Sequence, residues 1–198
     1  MSDTDVFIVS ALRSAIALGK ESGALYPLAP VDLASKVMAE TIRRAGIDPK
    51  RLDDVIWGVV TPIGDQGANL ARLATLNANF PVHVPAISIN RMCGSSQQAV
   101  HFASQAILAG DADLVLAGGT EMMSHQMLGA DYPDEFPKSI PHDLVHQGIS
   151  AEMMAEKWNL TREEQDDFAF RSHEKAASAM DAGYFGGQIL PLTIPESE

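Results

Sequence analysis

Apolar residues along this 198-residue chain fall into short runs separated by longer stretches with a helical period. Val6–Val9 is one such run and predicts a buried strand. From Asp32 to Ala45, Ala34, Val37, Met38 and Thr41 share a helix face, with Leu33 and Ala45 beside it and Gly46 placed to stop it. A second strand is expected at Val55–Val60, a helix over 69–79 and a third strand at Ala86–Ile89. The next helix runs from Ser95 to Ala109; Ala99, Phe102, Ala103, Ala106 and Ile107 carry its period and Gly110 ends it. A fourth strand, Leu114–Ala117, closes on Gly118-Gly119. Strands separated by helices of this length predict an α/β fold with a mostly parallel sheet covered by helices on both faces.

The pattern changes after Glu121. Residues 122–148 carry many Met, Pro and His without a sustained period, as expected of a long loop excursion. A short helix is expected at Ser150–Trp158. Thr161-Arg162-Glu163-Glu164 has the form of a capping box and opens a helix that ends near Gly183. Ile189–Ile194 is strand-like but broken by Pro191, so it reads as an edge or extended segment. The expected division is an α/β domain over 1–120 and a second, incomplete domain over 121–198.

Composition narrows the class. Hydrophobic residues make up 46% and charged residues 20% of the chain, which suits a globular protein rather than a disordered one. A net charge of −12 would repel nucleic acid and anionic membranes, so neither is expected as a partner. A single cysteine cannot form an internal disulfide, which fits a reducing compartment. The acidic first residues are unlike a basic targeting segment, and the apolar run after them is too short for a membrane span. These features lead to the expectation of a soluble, cytoplasmic protein.

The candidate chemistry sits where the third strand gives way to the third helix. In open parallel sheets the carboxyl edge is where ligands bind, and Asn90-Arg91-Met92-Cys93 lies there. A cysteine at a helix N-terminus meets the positive end of the helix dipole and free backbone N–H groups, which favour thiolate. Gly94 allows close backbone approach to a ligand, and the Cys93 N–H is itself a possible oxyanion donor. Attack on a thioester needs a soft nucleophile and donors for the developing negative charge. On these residues alone a buried structural cysteine is the competing reading.

Asn90-Arg91-Met92-Cys93-Gly94-Ser95-Ser96-Gln97-Gln98-Ala99 resembles the active-site motif of the thiolases, the acetyl-CoA acyltransferases. Other segments match in the same order. Val9-Ser10-Ala11-Leu12-Arg13-Ser14 resembles their first strand and following turn. Gly67-Ala68-Asn69-Leu70-Ala71-Arg72 resembles Gly-Gln-Asn-x-Ala-Arg, and Gly118-Gly119-Thr120-Glu121-Met122-Met123-Ser124 resembles Gly-Gly-x-Glu-x-Met-Ser. His146-Gln147-Gly148-Ile149-Ser150-Ala151-Glu152 and Arg162-Glu163-Glu164-Gln165-Asp166 resemble parts of the thiolase loop domain.

The resemblance implies a thiolase-like layered fold, of which this chain would be the N-terminal half with part of the loop domain. It implies a ping-pong acyl transfer in which Cys93 takes an acyl group from acyl-CoA and passes it to CoA or acetyl-CoA. In that scheme the Cys93 N–H contributes to an oxyanion hole, and His146 and Gln147 line the pantetheine channel. CoA thioesters enter as substrates, no cofactor is implied, and a homo-oligomer, dimer or tetramer, is the family habit. Ser96 stands where many members have Gly and points toward degradative enzymes of fatty-acid β-oxidation that accept bulkier acyl chains. The Gly-His-Pro, Asn-Glu-Ala-Phe and second-cysteine motifs of the family's C-terminal half do not occur in these 198 residues. The expectation is a fragment, inactive by itself. The rivals are a ketoacyl-synthase-like condensing enzyme and a non-catalytic thiolase-like chain that binds acyl-CoA or a partner.

His142 and His146 have the spacing of a helical zinc pair with Asp143 between them, but Pro141 and Gly148 leave barely two turns and no third ligand is evident. No metal site is expected. His83, His101, His125 and His173 have no partner pattern and read as structural or exposed. Met122, Met123, Met127, Met153 and Met154 read as packing residues. Glu121 reads as a buried carboxylate that holds loops near the site.

Overall fold

A computed structural model describes residues 5–194. The chain divides into two compact units, one running to Asp131 and taking in residues from Gln188 onward, the other Tyr132–Gly187.

In the first unit, β1 (Asp54–Gly58) lies between β2 (Ala86–Ile89) and β3 (Val115–Gly119), and both pairings are parallel. The alternation of side chains along β1 decides what each face meets. Val55 and Trp57, with Leu116 of β3, face one core; Ile56, with Val115 and Ala117, faces the other. Helices α1 (Pro30–Ala45) and α2 (Leu70–Asn77) supply Ala34, Met38, Ile42, Leu70, Ala71 and Ala74 to the first core. Helix α3 (Ser95–Ala109) supplies Ala99 and Ala103 to the second. The predicted sheet with helices on both faces is present.

Local chemistry sets the helix ends. Pro30 opens α1, where its missing N–H costs nothing and its fixed φ already suits a helix. Gly46 ends that helix at φ +66, a left-handed state that glycine adopts without strain. The buried face of α1 runs through Leu33, Ala34, Met38 and Ile42. Val37 and Thr41, expected on it, are only half-buried.

One predicted strand is missing. Val6–Val9 joins no sheet, and Phe7, Ile8 and Val9 are exposed. Residues 5–14 and β3 both line a cavity of about 740 Å³. Further along, Arg13 forms an isolated parallel bridge with Ile189. Beyond that bridge, residues 190–194 have no regular secondary structure.

The second unit holds α4 (Gln147–Trp158) and α5 (Arg162–Asp181), preceded by a stretch without regular structure. Thr161 and Glu164 close the expected capping box, each side chain bonded to the other's backbone N–H. Among the described residues, no helix is long and apolar enough to cross a membrane.

Candidate active site

Cys93 lies in the short turn between β2 and α3, and it is exposed. Two glycines let the start of α3 settle on the sheet's carboxyl edge. A Cβ on Gly58 would fall 2.6 Å from the Ser95 carbonyl carbon and the Ser96 nitrogen. A Cβ on Gly119 would fall 2.0 Å from the Ser96 hydroxyl oxygen. The Ser96 side chain therefore occupies space that Gly119 leaves open. Neighbouring Gly118 gives the same relief to the Trp57 ring, whose Nε1 donates to Thr120 at 2.9 Å.

The turn before Cys93 is held by side chains on both sides. Asn90 Oδ1 accepts the Met92 N–H at 2.8 Å, and Asn90 Nδ2 donates to the Val60 carbonyl at 2.7 Å. Met92 sits at φ +47, a left-handed state that residues with a Cβ rarely adopt. Its carbonyl accepts from the Ser95 N–H at 3.0 Å and the Ser95 hydroxyl at 2.5 Å. The Ser95 hydroxyl in turn accepts the Arg91 N–H at 2.9 Å. Because a peptide is planar and trans, fixing the Met92 carbonyl toward the helix points the Cys93 N–H of the same peptide the opposite way. That N–H takes part in none of these bonds, whereas the N–H groups of Arg91, Met92, Gly94 and Ser95 are all engaged. The result is an exposed cysteine beside an oriented N–H that takes part in no hydrogen bond among the described residues.

Glu121 ties the neighbouring strand ends together. It accepts the Val60 N–H at 2.7 Å with one oxygen and the Gln66 amide at 3.0 Å with the other. Buried Gln66 also donates to the Thr61 carbonyl and accepts the Met122 N–H. Glu121 was expected to hold loops from a buried position. It does hold them, but it is exposed, because the bonded groups lie at the rim of the sheet.

Asn69 braces the free side of β2. Its side chain donates to the Ala86 carbonyl and accepts from the Ser88 N–H, both at 3.0 Å, much as another strand would. Arg91 pairs with Gln98 and lies over the Phe102 ring at 5.9 Å. Asp65 binds His125 at 2.5 Å and Gln126 at 2.8 Å, while the other His125 nitrogen faces the Tyr26 carbonyl.

His146 and Gln147 belong to the second unit. His146 caps α4 with Nδ1 accepting the Gly148 N–H at 3.2 Å, which leaves the proton of the neutral ring on Nε2. Gln147 is the first residue of that helix, and both are exposed. His142 precedes the helix, so the His142–His146 pair does not share a helical face.

The family model for the thiolase N-terminal domain matches residues 6–198. The chain belongs to the thiolase family. It is 40% identical to a steroid 3-ketoacyl-CoA thiolase of Mycobacterium tuberculosis, over 96% of this chain and 49% of that protein. It is also 40% identical to a 3-ketoacyl-CoA thiolase of Serratia proteamaculans, with the same coverage of each. A Bacillus anthracis acetyl-CoA acetyltransferase shares the fold at a TM-score of 0.81 and 36% identity, over 96% of this chain and 51% of that one. This thiolase chain thus spans about half the length of the relatives it matches.

Within this thiolase N-terminal half, the sequence pattern marks Cys93 but no separate role for Asn90, Ser95, Gln66, Gly58 or Gly119. Asn90 had a legible signal, since an Asn bonded to the N–H two residues on is an Asx-turn. The glycine contacts had none, because they depend on two strands meeting one helix.

Proposed function

We propose that this chain is the acyl-accepting half of a thiolase that moves acyl groups between CoA thioesters through an S-acyl Cys93 intermediate. The observation that carries this reading is the exposed Cys93 at the start of α3, with its own N–H unengaged among the described residues. The Cys93 thiolate attacks the thioester carbonyl, forming a carbon–sulfur bond and placing the carbonyl electron pair on oxygen. The Cys93 N–H stabilises that oxyanion. Collapse expels the CoA thiolate, which takes up a proton, and leaves the acyl group on Cys93. In condensation the α-carbon of deprotonated acetyl-CoA then accepts the acyl group. In thiolysis Cys93 instead attacks the 3-keto carbon of a 3-ketoacyl-CoA, and the C2–C3 bond breaks with its electron pair on C2, which takes up a proton to leave as acetyl-CoA. A CoA thiol then takes the acyl group from Cys93.

The acid–base groups of the second half-reaction belong, in this reading, to the other half of a thiolase-length protein. His146, with Nε2–H as donor, and Gln147 contact the pantetheine arm. Ser96 favours the degradative direction on 3-ketoacyl-CoA, as in β-oxidation, and the single cysteine suits a cytoplasmic location. The assembled protein is a homo-oligomer.

The test combines this chain with the C-terminal half of a thiolase and follows CoA-dependent loss of a 3-ketoacyl-CoA. Activity is expected for the wild-type chain and none above background for Cys93→Ala. Equal turnover in both would refute the assignment. In the same assay His146→Ala should raise KM more than it lowers kcat; an unchanged KM removes that contact.

A further inference from the structure

We infer that Asn90 is a positioning residue for the acyl-transfer step: it sets the direction of the Cys93 N–H through the left-handed Met92 and ties that turn to the ends of the two neighbouring strands. The inference rests on the acyl-transfer reading of Cys93.

Met92 occupies an unfavourable backbone state, and such a state persists only where surrounding bonds over-determine it. Two sets of bonds do so. Ser95 fixes the Met92 carbonyl from the helix side. Asn90 fixes the Met92 N–H from the strand side. With both ends of the residue held, the peptide between Met92 and Cys93 has one orientation, and its N–H faces away from α3.

The second arm of Asn90 reaches across the sheet. Its Nδ2 donates to the Val60 carbonyl at the end of β1, and the Val60 N–H donates to Glu121 at the end of β3. Val60 is thus clamped by side chains from both flanking strands. Glu121 is anchored in turn by buried Gln66, which also holds the Thr61 carbonyl and the Met122 N–H. A continuous run of bonds, Gln66–Glu121–Val60–Asn90–Met92, ends at the peptide that carries the oxyanion donor. Asn suits this place because one side chain supplies both an acceptor and a donor. Ala supplies neither, and Asp keeps only the acceptor.

The test compares two reactions at the same sulfur. Acylation by a CoA thioester develops an oxyanion and depends on where the Cys93 N–H points; alkylation by iodoacetamide does not. In the chain combined with a thiolase C-terminal half, Asn90→Ala should slow acylation about tenfold or more, less than the roughly 10²–10³ for outright loss of an oxyanion donor. Alkylation should stay within about twofold of wild type, the split that separates transition-state stabilisation from general damage. Asn90→Asp keeps the Met92 bond and should fall between the two, with the melting temperature of each variant measured alongside. Equal losses in acylation and alkylation, or no loss in either, overturn the inference.

If the wild-type chain does not acylate at all, the proposed function falls. The placement of Asn90 is then judged by NMR on the chain alone. Asn90→Ala should change the Met92 amide–Hα coupling and speed exchange of the Met92 amide. An unchanged coupling and exchange rate overturns it.

Discussion

The two units of this chain use the same kinds of residue to opposite ends. In the first, Met38, Val55, Leu70, Ala71, Ala74 and Val84 are fully enclosed in one apolar cluster. In the second, neither α4 nor α5 buries a residue, although Met153, Trp158, Phe168 and Met180 are as apolar as anything in the first core. What holds the twenty-residue α5 is local: its capping box, the Arg162–Asp166 pair at 2.9 Å and the Arg171–Asp167 pair at 2.5 Å. Exposed pairs of this kind contribute only a few tenths of a kcal/mol each. The nucleophile lies in the unit whose packing can hold a backbone to the fraction of an ångström that catalysis demands. The proposed substrate-covering residues lie in the unit with no packed core.

The sharpest challenge to that contrast is Leu70→Ala, which empties a fully enclosed site. A loss of about 2–5 kcal/mol is expected, read from denaturant unfolding, with amide protection falling across α1, β1 and α2 together. A loss under about 1 kcal/mol would mean that the apolar cluster is not the source of the unit's stability. Gly58→Ala comes next. Its new Cβ would collide with backbone at the start of α3, and overpacking of this kind costs about 1–3 kcal/mol. Altered Cys93 alkylation should accompany it, and a wild-type rate and stability would show that α3 is not seated as described.

In the second unit Thr161→Ala removes the helix cap and should cost α5 about 0.5–2 kcal/mol. The loss should appear as faster amide exchange confined to the first turns of α5. A change spread over the whole helix would indicate packing that the exposed side chains do not suggest.

The smallest expected effect is a pH dependence in the first unit. Partial burial pushes the Asp65 carboxyl up, but hydrogen bonds from Gln126 and His125 and the charge of His125 outweigh it and hold Asp65 below its ordinary range. A carboxylate lowered in the folded state stabilises above its unfolded value, near about 4, and the contribution is lost as pH falls through the folded value. Asp65→Asn should therefore flatten the decline of the melting temperature below about pH 4. An identical acid profile in the variant would remove Asp65 from the account.

How much of this was legible in the sequence depended on the range of the interactions. Helices α1 and α3 were readable because a 3.6-residue period ends on a glycine that the left-handed stop requires, at Gly46 and Gly110. The α5 cap was readable because all of its bonds span three residues. Val6–Val9 shows the limit of local pattern: an apolar run becomes a strand only where a partner edge pairs with it, and among the described residues none does. In the site, Cys93 stood out by its place between strand and helix. The clamp on Val60 could not be seen, since it joins residues 30 and 61 positions away along the chain. Glu121 shows both sides: its loop-holding role followed from its place at a strand end, while its exposure depended on how the rim of the sheet packs.

The central claim is that Cys93 accepts an acyl group, and intact-mass spectrometry with peptide mapping tests it most directly. The chain, combined with a thiolase C-terminal half and incubated with acetyl-CoA, should gain one acetyl group, mapped to the peptide containing Cys93 and lost on treatment with free CoA. Cys93→Ala should gain none. An acetyl group that maps elsewhere, or a wild-type chain that never acquires one under these conditions, would contradict the account.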